Sequence, residues 1–228
     1  VIIKIVEIVI GFAPLGVFCL IAGTITAVSG DDPSDVFQLL SALGLYCFTV
    51  VLGMTIHTVV IYPLMLRLFT PIRIRDFFAS ILPAQLVAFS TSSSAATLPV
   101  TMKHVQKNIG VSDEVASFVL PLGATINMDG TALYQAVAAV FIAQTLGIPL
   151  DVGAQATIVF TALLGSIGTA AVPSAGIVML VVVLESVGVP VAGIALILGV
   201  DRILDMCRTA ANVTGDATVA TVVAASEN

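Results

Sequence analysis

Long apolar runs dominate this chain, and three polar clusters divide them: Gly30 to Asp35, acidic and proline-bearing; Arg67 to Arg75, basic; and the linker from Lys103 to Glu114. They delimit apolar helices expected at about 4–28, within a first element spanning 1–28, and at 37–69. Two further runs, 76–108 and 151–188, are apolar but interrupted midway by small hydroxyl residues and a proline. The interruptions are Ser90 to Pro99 in the first and Gly165 to Pro173 in the second. Proline removes a backbone donor and small residues weaken a helix, so both runs are expected to turn back near their middles. At membrane depth such backbone is tolerated only where protein buries it or where it lines a polar cavity, so both read as re-entrant hairpins. Each precedes a further helix, at 113–146 and at 189–223.

The last helix carries the strongest polar pattern. Asp201, Asp205, Arg208, Thr209, Asn212 and Asp216 fall within an arc of roughly 100° at ~100° per residue, so they face one site. Carboxylates inside a membrane are costly, and a segment that keeps three of them beside an arginine is expected to bind or move a polar solute.

Composition excludes the other reading of that stripe, a solvated face on a soluble helix. Charged residues are 10% of the chain and hydrophobic residues 58%, where soluble domains hold roughly 25% charged. The 228 residues have room for five or six membrane-length segments of about 20 residues. A multi-pass integral membrane protein is the expectation, with nothing pointing to nucleic acid; the net charge of -6 is shared between loops and the buried face. Cys19, Cys47 and Cys207 lie in apolar segments without ligand spacing and read as small core residues. No signal peptide precedes the first span, and the opening at Val1 inside an apolar helix reads as a fragment or processed product.

Charge also orients the chain. Arg67, Arg73, Arg75, Lys103 and Lys107, five of the eight basic residues, flank the first hairpin, whereas Asp31, Asp32, Asp35 and Asp151 lie in the opposite loops. The positive-inside rule then places the base of the first hairpin in the cytoplasm and that of the second outside. The hairpins share a pattern, Ser94 to Pro99 beside Thr169 to Pro173, and each precedes a helix with Asn and Asp near a Gly. Those are Asn127, Asp129 and Gly130 in one unit and Asn212, Gly215 and Asp216 in the other, as an inverted-repeat transporter would show.

The run 127–131, Asn-Met-Asp-Gly-Thr, favours local unwinding inside an apolar segment. Freed carbonyls with the oxygens of Asn127, Asp129 and Thr131 suit a hard cation; a helix-capping Asp in a kinked helix is the other reading. Amides and hydroxyls at the hairpin tips suit a carboxylate, Arg208 can hold a second with its planar fork, and Asp205 can hold an ammonium. A zwitterion with an extra carboxylate fits all three.

At these motifs the chain resembles the glutamate transporter family, the dicarboxylate and amino acid:cation symporters. The resemblance runs over 1–228 through Ser92, Ser93 and Ser94, the Asn-Met-Asp-Gly-Thr of 127–131, the tip at 168–173 and the stripe from Asp201 to Asp216. It covers the C-terminal part of that family, helices five to eight with both hairpins. It implies an all-α membrane fold with inverted repeats, in which hairpins and last helices move as an elevator against a scaffold holding a homotrimer in a plasma or bacterial inner membrane. It also implies sodium-coupled symport of aspartate or glutamate. Substrate would lie against Ser92, Ser93, Thr131, Val172, Gly176, Asp205, Arg208, Thr209 and Asn212. Arg208 would take the side-chain carboxylate, Asp205 the amino group, and Ser93 with Asn212 the main carboxylate. One sodium ion would use carbonyls of Gly123, Asn127 and Asn212 with Asp216, a second the backbone of Thr125, Ser166, Ile167 and Thr169, and a third Asn127 and Asp129.

The chain departs from some relatives. Proton- and potassium-coupled members carry a glutamate after the tyrosine where Gln135 follows Tyr134, and glutamine cannot titrate, so proton carriage there is not expected. Many relatives hold an extra arginine where this chain has Thr91 or Met206, and Arg202 is a candidate substitute. A dicarboxylate carrier would still need Arg208 but not Asp205, and a neutral amino acid carrier would lack the arginine. An intramembrane serine hydrolase would need His104 beside the serines, without a Gly-x-Ser-x-Gly elbow to support it. His57 reads as a packed or interfacial histidine, and a pure channel is the weakest alternative.

Overall fold

The computed structural model describes residues 33–227 and a few positions between Phe12 and Gly23, so most of the expected helix at 4–28 lies outside the described residues. The described chain is helical, without a strand among its residues. A first long helix comprises α1 (Pro33–Ile56), a π turn (His57–Ile61) and α2 (Tyr62–Phe69). The wide turn precedes Pro63, whose ring would crowd the carbonyl four residues earlier and whose nitrogen cannot donate to it. Next come α3 (Ile74–Thr91) and α4 (Ser94–His104), the latter running into a second π turn (Val105–Ile109) closed by left-handed Gly110. Then follow α5 (Asp113–Ile126) and α6 (Asp129–Thr145), and α7 (Val152–Ile167) and α8 (Ala175–Ser186). A 3-10 turn (Val191–Ile194) after Pro190 leads into α9 (Ala195–Ser226), so the last helix begins a few residues later than 189. Helix starts are capped from the sequence: Ser93 accepts from the Ala96 amide at 3.2 Å, Ser112 from Val115 at 3.3 Å, and Asp151 from Ala154 at 2.7 Å.

The chain breaks between α3 and α4, between α5 and α6, and between α7 and α8. At the first break Ser92 adopts φ 52°, and at the third Ser174 adopts φ 61°, so both hairpins turn through a left-handed serine. The middle break leaves Asn127 and Met128 outside helical geometry, at φ -109°.

Helix α9, roughly 48 Å long at 1.5 Å per residue, is the axis of the molecule, lying close against α1 to α6 and reaching α8 through Arg208 at Gly176. Its N-terminal part joins Leu196, Ile197 and Leu204 to a core built from α1, α6, α7 and α8. Its C-terminal part joins Ala217 and Ala220 to a second core of α2, α3, α5 and the turn after α4. Between the two cores lies the polar stripe. The exterior reverses the usual pattern: Phe37, Phe48, Phe118, Phe160 and Val178 are exposed while Asp201, Asp205, Arg208 and Asp216 are buried. Apolar outside and charged inside is the distribution a bilayer imposes. Among the described residues, Val36–Phe69 and Asp113–Thr145 are long and apolar enough to cross a membrane.

Candidate functional site

The two hairpin tips meet over the middle of α9. Ser93 Oγ donates to the Ala171 carbonyl at 2.8 Å, and the Ala95 amide donates to the same oxygen at 3.3 Å. Thr91 wires the first tip internally, donating to Val87 O at 2.8 Å and accepting from the Ser93 amide at 3.3 Å. The second tip is tied to α9: the Ser174 amide donates to Asp205 Oδ2 at 2.8 Å. Beneath the tips is a cavity of about 20 Å³ lined by Ser92, Thr131, Val172, Asp205, Arg208 and Asn212 among others. That is the size of a single water molecule, whereas small-molecule sites usually run to several hundred Å³.

Arg208 sits at the cavity wall, 2% exposed. Its Nη2 donates to Asp205 Oδ1 at 2.5 Å, its Nη1 lies 3.9 Å from Asp201 Oδ1, and its guanidinium stacks 4.3 Å over the Tyr134 ring. Gly176 makes room for it, because a methyl there would stand 2.7 Å from Nη1. Gln135, fully buried, donates to the Gly176 carbonyl at 3.1 Å and so props the start of α8 against the arginine. By formal charge, two carboxylates and one guanidinium give this site one excess negative charge.

The middle break is built around oxygen atoms. Asn212 clamps it from α9, its Oδ1 accepting from the Gly130 amide at 2.8 Å and its Nδ2 donating to Thr131 Oγ1 at 3.1 Å. Asn127 Nδ2 donates to Asp216 Oδ1 at 3.1 Å. A methyl on Gly123 would lie 2.7 Å from that same Asp216 oxygen, so only glycine lets the carboxylate approach the α5 backbone. Asp129 faces the other side of the break, its Oδ2 accepting from Tyr62 at 3.1 Å and lying 3.3 Å from His57 Nε2. A carboxylate, an amide side chain and loosened carbonyls at the break are the kind of hard oxygen donors a small cation takes.

Of the residues singled out in the sequence, the six of the α9 stripe are all buried; Asp205, Arg208, Thr209 and Asn212 line the cavity, Asp216 faces the break, and Asp201 lies behind Arg208. Ser92, Ser93, Thr131, Gly176 and Thr209 border the same cavity or its tips, while the Val172 side chain is 53% exposed and touches the cavity from its rim. Asn127, Asp129, Gly123 and Asp216 gather at the break. Ser166 and Thr169 are buried at the end of α7, with the Thr169 hydroxyl on Gly165 O and its amide on Ser166 O; the Ile167 and Thr125 side chains point outward. Arg202 is half-buried and absent from the ion pairs among the described residues. His104 lies at the far end of α4, roughly 15 Å along the helix from Ser94, and its ring contacts Asn108 at 3.1 Å. The serines therefore have no histidine base, and Ser93 spends its proton on Ala171.

Three further residues join the site without having stood out in the sequence, Tyr62, Ser174 and Tyr134, and His57, which reads there as packed or interfacial, joins them. His57 and Tyr62 reach Asp129 from the first long helix, Ser174 holds Asp205, and Tyr134 stacks on Arg208. The one available signal was two polar side chains, His57 and Tyr62, ahead of Pro63 inside an apolar run.

The sequence is similar to known proteins over nearly the whole chain. The family model described as the sodium:dicarboxylate symporter family matches residues 1–226. Human excitatory amino acid transporter 2 is 45% identical over 216 residues, 95% of this chain and 37% of that protein. An excitatory amino acid transporter of Caenorhabditis elegans is 46% identical over 223 residues, 98% of this chain and 43% of that protein. Excitatory amino acid transporter 1 of Bos taurus is 46% identical over 222 residues, 97% of the chain and 40% of that protein. The chain thus spans about two fifths of the length of the curated relatives it matches. With the broken helix at 127–128, the paired hairpin tips and the charged stripe of α9 all in place, the chain belongs to the sodium:dicarboxylate symporter family.

Proposed function

We propose that this chain carries the substrate and ion sites of a sodium-coupled symporter for acidic amino acids. The observation that supports it best is the buried pair of Arg208 and Asp205 directly under the two hairpin tips. An acidic amino acid supplies the complement of both charges, its side-chain carboxylate to Arg208 and its ammonium to Asp205, with its main carboxylate at Ser93 and Asn212. A plain dicarboxylate would leave Asp205 unanswered, and a neutral amino acid would leave Arg208 so. Ser92, Thr131, Val172, Gly176 and Thr209 complete the enclosure.

The excess negative charge of this site argues for cations bound with the substrate, since an acidic amino acid adds another negative charge to a low-dielectric interior. Sodium would be held by Asp216 with carbonyls of Gly123, Asn127 and Asn212, by the backbone of Thr125, Ser166, Ile167 and Thr169, and by Asn127 with Asp129. The chain's own residues bind and orient; no bond is made or broken. The small cavity means that a tip has to lift to admit a substrate, and the second hairpin, tied to α9 through one amide on Asp205, is the simpler one to release. In this reading the hairpins are re-entrant, α3 to α9 move together as an elevator, the assembly is a homotrimer in a plasma or bacterial inner membrane, and Gln135 leaves transport without proton carriage at that position.

Radiolabelled aspartate uptake into proteoliposomes bearing the intact protein tests this. Uptake driven by an inward sodium gradient and indifferent to potassium is expected. Equal uptake driven by a proton gradient in sodium-free buffer would overturn the sodium assignment.

A further inference from the structure

We infer that Tyr62 is a positioning residue for cation binding at Asp129, a role that rests on the proposal that Asp129 is a sodium ligand. Tyr62 is fully buried at the start of α2, where the π turn before Pro63 resets the register of the long helix. Its hydroxyl lies 3.1 Å from Asp129 Oδ2 and 3.3 Å from the Ala211 carbonyl of α9. One proton serves two acceptors, so the hydroxyl can hold the carboxylate or turn to the carbonyl without being left unsatisfied. The seat is shaped for it: a methyl on Gly215 would stand 2.5 Å from the Tyr62 oxygen, so any larger residue there would push the phenol off Asp129.

The geometry at the carboxylate gives the hydroxyl its purpose. Tyr62 and His57 both contact Oδ2, and the two rings meet edge to face with centroids 4.7 Å apart. With that oxygen pinned from the first long helix, Oδ1 has no hydrogen-bond partner among the described residues, and the pinning fixes its direction for an incoming ion. A carboxylate oriented in advance loses less freedom when it captures a cation, and second-sphere donors of this kind tune ligands in many ion sites. Tyr62 also ties α2, α6 and α9 together at one atom, so ion capture at Asp129 is felt by the helix that carries Asp205 and Arg208.

The test is a sodium titration of thermal stability on the intact protein without substrate, followed by aspartate calorimetry at saturating sodium. Tyr62→Phe keeps the ring and removes the hydroxyl. It is expected to raise the sodium concentration at half-stabilisation about tenfold while aspartate affinity at saturating sodium stays within a few-fold of the parent. Gly215→Ala is expected to shift the sodium midpoint in the same direction by displacing the phenol. Tyr62→Phe with a midpoint within twofold of the parent overturns the inference, as does an equal loss of aspartate affinity at every sodium concentration, which marks a general packing defect. A parent that sodium does not stabilise at all overturns instead the reading of Asp129 on which the inference stands.

Discussion

Arg208 Nη2 and Asp205 Oδ1 stand 2.5 Å apart, so the two groups that would receive the opposite ends of an amino acid are holding each other. They are one turn apart on α9 and equally buried. The pair keeps a guanidinium and a carboxylate neutralised beneath closed tips, where either alone would be costly. A ligand with both an ammonium and a side-chain carboxylate can replace the pair charge for charge, and a ligand with one of them cannot. Selectivity follows from that exchange.

Removing the guanidinium should therefore exchange selectivity. Breaking one partner of a buried pair costs on the order of 3 to 5 kcal/mol, so Arg208→Cys should bind aspartate about two to three orders of magnitude more weakly. The Asp205 contact to the ammonium remains, and serine or alanine should then bind in calorimetry. Asp205→Asn should weaken both classes. Aspartate affinity within a few-fold of the parent in a folded Arg208→Cys protein would make Arg208 a structural charge.

At Gly123 the α5 backbone comes close to the Asp216 carboxylate. Gly123→Ala places a methyl 2.7 Å from Oδ1, a separation that forces the carboxylate aside and loosens its bond from Asn127. The sodium requirement for aspartate binding should rise by roughly tenfold, the equivalent of one lost charge-assisted hydrogen bond. Titrating sodium at fixed aspartate measures it, and an unchanged midpoint would remove Asp216 from the ion site.

Gln135 donates to the Gly176 carbonyl in a fully buried position, and a carboxylate cannot make that bond. In Gln135→Glu only the protonated side chain restores the donor, so protonation and the closed geometry at Arg208 favour each other. Aspartate should bind the variant about tenfold more tightly near pH 5.5 than near pH 8, a difference matching one unsatisfied buried acceptor. The same ratio in parent and variant would show that this side chain does not communicate with the site.

The sequence by itself determined the helical class, the places where the hairpins break and the polar stripe of α9. These are local matters. A proline or a run of small hydroxyl residues disrupts the backbone it belongs to, and the 3.6-residue period alone puts Asp201, Asp205, Arg208, Asn212 and Asp216 on one face. Apolar composition then requires that face to be enclosed by protein. What only the tertiary structure decided is which groups share a hydrogen bond across distant segments. Tyr62 and His57 reach Asp129 across 67 and 72 residues, and Ser93 finds the Ala171 carbonyl across 78. No spacing rule connects those positions, because they meet only once α2, α6, α9 and the two tips are packed. The same packing set Arg208 on Asp205, since the sequence showed two charges a turn apart and the closed tips bury both of them.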